Sequence, residues 1–209
     1  MGLRPRYRGV WALVFWFVLV SDVRADRSVS AESQPVPSLR LPQSPLSNPF
    51  PSGVIVGYAG DTGLDIAGKF LPVYAVRSGF IDYAERGHTV WTKAPDTPLS
   101  VRIEFDEPLV WRGKRITHAY YTHMSKLAMT QPEHATPRRH VEAGEFLGIS
   151  GIGNGMPHLH LGLLLDGHVE QDRWETLLLP GEIAALLGYR NGARLPALPL
   201  LPSSGTLTR

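Results

Sequence analysis

The 209-residue chain has no cysteine. That excludes disulfides, thiolate metal ligands and a thiol nucleophile, so any metal would be held by His, Asp or Glu. Strong charge of one sign is missing too, with 21 Lys+Arg against 19 Asp+Glu. Residues 1–25 hold four of those arginines and one aspartate, and the remainder carries 17 basic and 18 acidic residues. Nucleic-acid binding needs a clustered basic face and is not expected. No apolar run is long enough for an ordinary transmembrane helix: "VWALVFWFVLV" (Val10 to Val20) stops well short of the ~20 residues required. It follows Arg4, Arg6 and Arg8 and precedes the small residues Val23 and Ala25. That order reads as a signal peptide over residues 1–25, with an uncleaved anchor as the alternative. Export is therefore expected, with no stable membrane span once the signal is removed.

Three further segments follow. Residues 26–52 are rich in Ser and Pro without a period and read as a linker. Residues 194–209 read as a flexible tail. Between them, residues 53–193 are long enough to bury roughly two thirds of their surface. Short β-branched and aromatic runs dominate there. Phe70 to Ala84, Ser100 to Phe105 (alternating Val101, Ile103, Phe105), Arg115 to Met124 and "HLHLGLLL" (His158 to Leu165) all read as strands. Asp166-Gly167 closes the last with a hairpin signal. One helix is expected over Pro180 to Arg190, opened by its proline. The fold class is mainly β, a mostly antiparallel sheet or small barrel with one short C-terminal helix.

Chemistry concentrates in three stretches. In "MPHLHLGLLLDG", strand alternation puts His158 and His160 on one face, roughly 7 Å apart, and Leu159, Leu161 and Leu163 on the other. Gly162 shares the histidine face and leaves space beside it. Alone, this pair is a weak signal: two hydrogen-bonded core histidines are commoner than a metal site or a catalytic pair. The preceding "GISGIGNGMP" reads as a flexible turn whose backbone lines a cleft. In "GDTGLDIAG", Asp65 stands where a strand would otherwise be apolar. A buried carboxylate needs a partner, and a metal ion is one; Asp61 equally fits a turn. In "YYTHMS", His123 is expected to share a face with Tyr121, which would line a groove or pack. His88, His118, His134, His140 and His168 read as surface or structural.

Taken in order, "DTGLDIA … LPVYAVRSGFI … YYTHMS … VEAGEFLGISGIGNGMPHLHLGLLLDGHV" resembles the lysostaphin/LytM-type zinc metallopeptidases over residues 57–172. The family's pattern is His-x-Gly-x-Asp, then Tyr-x-His-x-Ser, then a Gly-rich turn into His-Leu-His. The resemblance implies a compact, mostly antiparallel β domain with a narrow groove, acting on peptidoglycan peptides in the periplasm, the cell wall or outside the cell. Carried over by position, it implies Zn2+ as cofactor, with Asp65 and His160 as ligands. It makes His123 and His158 the catalytic histidines, which orient or deprotonate a zinc-bound water and stabilise the oxyanion. Asp61 stands where the family has its first zinc-binding His. An Asp61-Asp65-His160 set is acceptable to zinc, but two carboxylates cancel the ion's charge and weaken it as a Lewis acid. The alternative is a degenerate relative that binds cell wall or touches other wall hydrolases. Residues 90–116 and 125–141 look extended and are expected to form loops at the groove rim.

Overall fold

A computed structural model describes residues 44–57, 60–89 and 92–197. Nine strands form one sheet: β1 (Val54–Ile55), β2 (Leu64–Ala67), β3 (Pro72–Tyr74), β4 (Gly79–Arg86), β5 (Leu99–Trp111), β6 (Lys114–Leu127), β7 (His140–Val141), β8 (Phe146–Gly153) and β9 (Met156–Leu165). Their order is β1-β2-β9-β8-β6-β5-β4-β7, with β3 on β8 and a further pairing of β9 with β6. Every pairing is antiparallel. The mainly β expectation, antiparallel with one helix, describes this architecture.

Alternation along the strands builds the core. Val101 and Ile103 of β5, Ala119 and Tyr121 of β6, and Leu159, Leu161 and Leu163 of β9 are all fully buried in one cluster. The helix α1 (Pro180–Leu186) covers part of it with Ile183, Ala184 and Leu186. Pro180 suits the first helical turn, whose N–H groups have no partner inside the helix. The Glu182 carboxylate accepts the Leu179 N–H at 3.1 Å and Lys114 Nζ at 2.7 Å. The helix ends before the expected Arg190 because Gly188 turns left-handed, at φ 82°.

Four expectations are corrected here. The segment 90–116 is not a rim loop: Leu99–Trp111 is a central strand that turns through Arg112-Gly113 into β6. Residues 125–141 begin as the end of β6 and then lie over β4 and β5. Gln131 bridges to Ala84, and Glu133 and Arg138 enter an ion-pair network. In that network Arg102, 7 % exposed, donates to Asp82 at 2.9 Å and to Glu133 at 2.8 Å. The glycine-rich stretch is mostly strand β8, with only Asn154-Gly155 as a two-residue turn at positive φ. Asp166-Gly167 does form its turn, both at positive φ, but no full strand returns. Residues 168–173 form no strand, and Leu177 then makes an isolated bridge to Leu164 of β9.

The expected signal (1–25) and most of the expected linker and tail lie outside the described residues. The end of the linker packs on the domain: Phe50 is fully buried, and the Ser47 N–H donates to Val76 O at 2.8 Å.

Candidate metal and catalytic site

The site is assembled on β2, β9 and β6. Asp65 pairs directly with His160 across β2 and β9, and Ala67 pairs with His158. On the other flank of β9, Thr122 of β6 stands opposite His160. With its leucines committed to the core, β9 turns His158, His160 and Gly162 to the opposite face.

Asp65 Oδ1 lies 2.8 Å from His160 Nδ1 and 3.5 Å from His158 Nε2. Asp61, at the entrance to β2, brings its own Oδ1 to 3.9 Å from the same His160 nitrogen. The Thr62 N–H donates to that carboxylate at 2.7 Å and fixes its orientation. Ligand atoms of Asp61, Asp65 and His160 all lie within 4.8 Å of one another. His158, though close to Asp65, is outside this trio.

These residues fit a divalent cation. Asp65 and His160 are each 8 % exposed while Asp61 is half-buried, and two carboxylates converging on one imidazole repel each other unless positive charge lies between them. Two oxygens and one imidazole nitrogen are ligands that zinc accepts. The backbone leaves room for the imidazole: a Cβ on Gly63 would sit 2.5 Å from His160 Nε2 and 2.7 Å from Leu161 O.

The two other histidines are held in distinct ways. His158 Nδ1 is 2.9 Å from Met156 O. A carbonyl only accepts, so in the neutral ring Nδ1–H donates and the Nε2 lone pair faces Asp65. His123 depends on a break in β6. Tyr121 points into the core, where its hydroxyl accepts the Val76 N–H at 2.8 Å. Regular alternation would bury His123 beside it. Instead His123 takes φ 60°, the pairing with β8 shifts register just after it, and its ring lies 4.9 Å from that of His158 and 6.1 Å from that of His160. Thus His123 does not share a face with Tyr121, and Tyr121 lines no groove.

A left-handed, non-glycine residue is strained and needs its surroundings to hold it. Thr97 does so: its hydroxyl donates to His123 O at 2.8 Å and accepts the Ile152 N–H at 2.9 Å. Next to it, Asp96 accepts the N–H groups of Asn154 and Gly155 at 2.9 and 3.0 Å, tying this loop to the β8–β9 turn. Gly153 makes the space, since a Cβ there would meet the His123 ring at 2.4 Å. Burial, reinforced by His158 and His160, pushes His123 down to about 4. It is therefore neutral at pH 7. Its buried Nδ1 has no hydrogen-bond partner among the described residues.

The remaining histidines stay out of the site. His88 pairs with Glu85, His140 with Asp106 and His168 with Glu170, while His134 is exposed. His118 is buried against Thr117 and faces Asp82 at 3.7 Å. Sequence reading did not find Tyr120, whose hydroxyl lies 3.1 Å from His160 Nε2, nor Thr97 or Asp96. Gly162 was the available signal for Tyr120. Nothing local marks Thr97, because its partner His123 is 26 residues away.

Neither a protein-family model nor a curated protein matches the chain. Several solved structures are similar to it. Lysostaphin from Staphylococcus simulans aligns with a TM-score of 0.45 and 20 % identity, covering 77 % of this chain and 55 % of that one. A peptidase M23 structure from Pseudomonas aeruginosa aligns with a TM-score of 0.44 and 18 % identity, covering 69 % and 51 %. A variant of the catalytic domain of the prophage-encoded M23 protein EnpA from Enterococcus faecalis gives 0.40 and 21 %, covering 61 % and 88 %. The match spans about half the length of the lysostaphin and Pseudomonas chains. These three structures are M23/lysostaphin-type peptidases, and their identity to this chain is low.

Proposed function

We propose that the chain is a secreted, zinc-dependent endopeptidase that cleaves cross-link or stem peptides of peptidoglycan. The observation that supports this best is the convergence of Asp61, Asp65 and His160 to within 4.8 Å, with two more imidazoles beside them. Asp61, Asp65 and His160 would hold the ion. When bound, zinc supplies Lewis acidity toward water and the scissile carbonyl.

The chain's own residues handle the protons. His158 offers its Nε2 lone pair on the Asp65 side and is kept in that tautomer by Met156 O. This suits it to accept a proton from the attacking water. His123, neutral and poor in hydrogen bonds, has its ring 4.9 Å from that of His158 and 6.1 Å from that of His160. It is suited to stabilise the developing oxyanion through a ring N–H, while the proton taken from the water passes from His158 to the leaving amine. The fixed rings and low exposure preorganise both.

Asp61 supports a second reading, a non-catalytic domain that binds cell wall or regulates other wall hydrolases. Two carboxylates leave the ion a weak acid. One experiment separates the two. Residues 26–209 are loaded with zinc, assayed for bound metal and incubated with isolated peptidoglycan. The peptidase reading expects about one zinc per chain and released peptides, both lost in Asp65→Ala, with release lost in His123→Ala and His158→Ala. No metal and no release sinks it. Binding to sacculi or to a wall hydrolase that survives both His→Ala changes, with no release by the wild type, favours the second.

A further inference from the structure

We infer that Tyr120 is a positioning residue that fixes His160 in the tautomer able to bind metal through Nδ1. The inference rests on the zinc reading above and concerns a residue outside the ligand and catalytic sets.

Tyr120 lies in β6 directly opposite Gly162 of β9. The ring occupies the place a side chain at 162 would need: a Cβ there would meet Tyr120 Cε1 at 1.9 Å. The space that glycine opens on the histidine face is therefore filled by this ring. Lying across the strand, the ring carries its hydroxyl to Thr62 O at 2.8 Å and to His160 Nε2 at 3.1 Å. A tyrosine hydroxyl carries its proton at neutral pH.

The hydroxyl has one proton and two neighbours. Thr62 O can only accept, and it is the nearer, so it takes the proton. The phenolic oxygen is then left as an acceptor toward His160. An imidazole that gives its Nδ1 lone pair to a metal carries its proton on Nε2, and here that buried N–H has Tyr120 to receive it. Without the phenol, the Nε2–H would be buried without a partner. The ring would then favour the opposite tautomer, donating Nδ1–H to Asp65 at 2.8 Å and occupying two ligand atoms at once. Partners behind metal-bound histidines fix ring tautomer and orientation in this way, and their loss costs metal affinity.

The test compares wild type with Tyr120→Phe, using the purified full chain, zinc alone as probe and a chromophoric chelator as competitor. Thermal midpoints are measured in excess chelator. The phenylalanine ring keeps the packing over Gly162 but leaves Thr62 O without this donor, so a cooperative transition at a moderately lower midpoint is expected, with zinc affinity lower by roughly 10–100-fold. Activity at saturating zinc should largely recover, which a catalytic role for the phenol would not allow. Equal zinc affinities in the two proteins overturn the inference and leave the zinc reading intact. A wild type that binds no zinc overturns both. Should the variant fail to fold, nitrogen-15 imidazole spectra of zinc-loaded wild type decide. A proton on His160 Nε2 supports the inference, and a proton on Nδ1 overturns it.

Discussion

Lowering the pH should unfold this protein partly through one residue, His123. Its ring is 5 % exposed, and burial pushes it from 6.5 down to about 4. The unfolded chain takes up a proton on this imidazole near pH 6.5, whereas the folded chain does not until about pH 4. Between those values the unfolded state holds more protons, so stability rises with pH and falls on acidification. The contribution is complete above pH 6.5 and is lost as the pH falls toward 4. Each pH unit in that window weighs up to about 1.4 kcal/mol, so the loss is about 3 kcal/mol in all. That is a large share of an ordinary domain's stability. The measurement is urea unfolding of wild type and His123→Gln at several pH values from 4 to 7.5, in chelator so that metal does not contribute. Groups remote from His123, such as His118 and His140, titrate in both proteins and cancel in the difference, while the coupling of His123 to His158, His160, Asp65 and Asp96 is removed with it. Wild type should lose about 3 kcal/mol more than the variant. Parallel stability curves would refute the reasoning, because His123 would then be no harder to charge in the fold than in water.

Other outcomes can be checked more briefly. Asp61→His replaces a carboxylate by a ligand zinc prefers and should tighten zinc binding by on the order of tenfold, about 1.4 kcal/mol; weaker binding in a competition titration would mean the native site is tuned to the carboxylate. Thr97→Val removes the hydroxyl that holds His123 O and the Ile152 N–H. It should cost about 1–3 kcal/mol by chemical unfolding and lower peptide release, with Thr97→Ser restoring both. Arg102→Ala removes a buried guanidinium, leaving the half-buried Glu133 without it and Asp82 with Arg138 as its remaining arginine. A loss of about 3 kcal/mol or more is expected from thermal or urea unfolding, with zinc affinity unchanged at temperatures where the variant is folded.

Some of this was readable without a structure because it depends on neighbours in the chain. Strand alternation alone separates Leu159, Leu161 and Leu163 from His158, His160 and Gly162, and the folded protein keeps that division. An aspartate in the apolar "LDIA" had to find a partner, and it did, opposite His160. The missing cysteines restricted any metal site to carboxylates and imidazoles. Pro180 marked where the helix begins.

Other features exist only once distant segments meet. Alternation predicts that His123 follows Tyr121 into the core. A left-handed turn, held by a threonine 26 residues earlier, brings it to the site instead. The glycines of "GISGIGNGMP" read as a loop but serve a strand, where Gly153 makes room for the His123 ring. Gly162 likewise signalled space in the sequence, and only the pairing of β6 with β9 shows that Tyr120 fills it. Asp61, ambiguous as a turn residue, reaches His160 because β2 lies beside β9. The sequence by itself determined which residue types stood on which face, since that follows from local backbone geometry. The tertiary structure decided which of them meet, since hydrogen bonds and packing across strands are set by register and by the breaks in it.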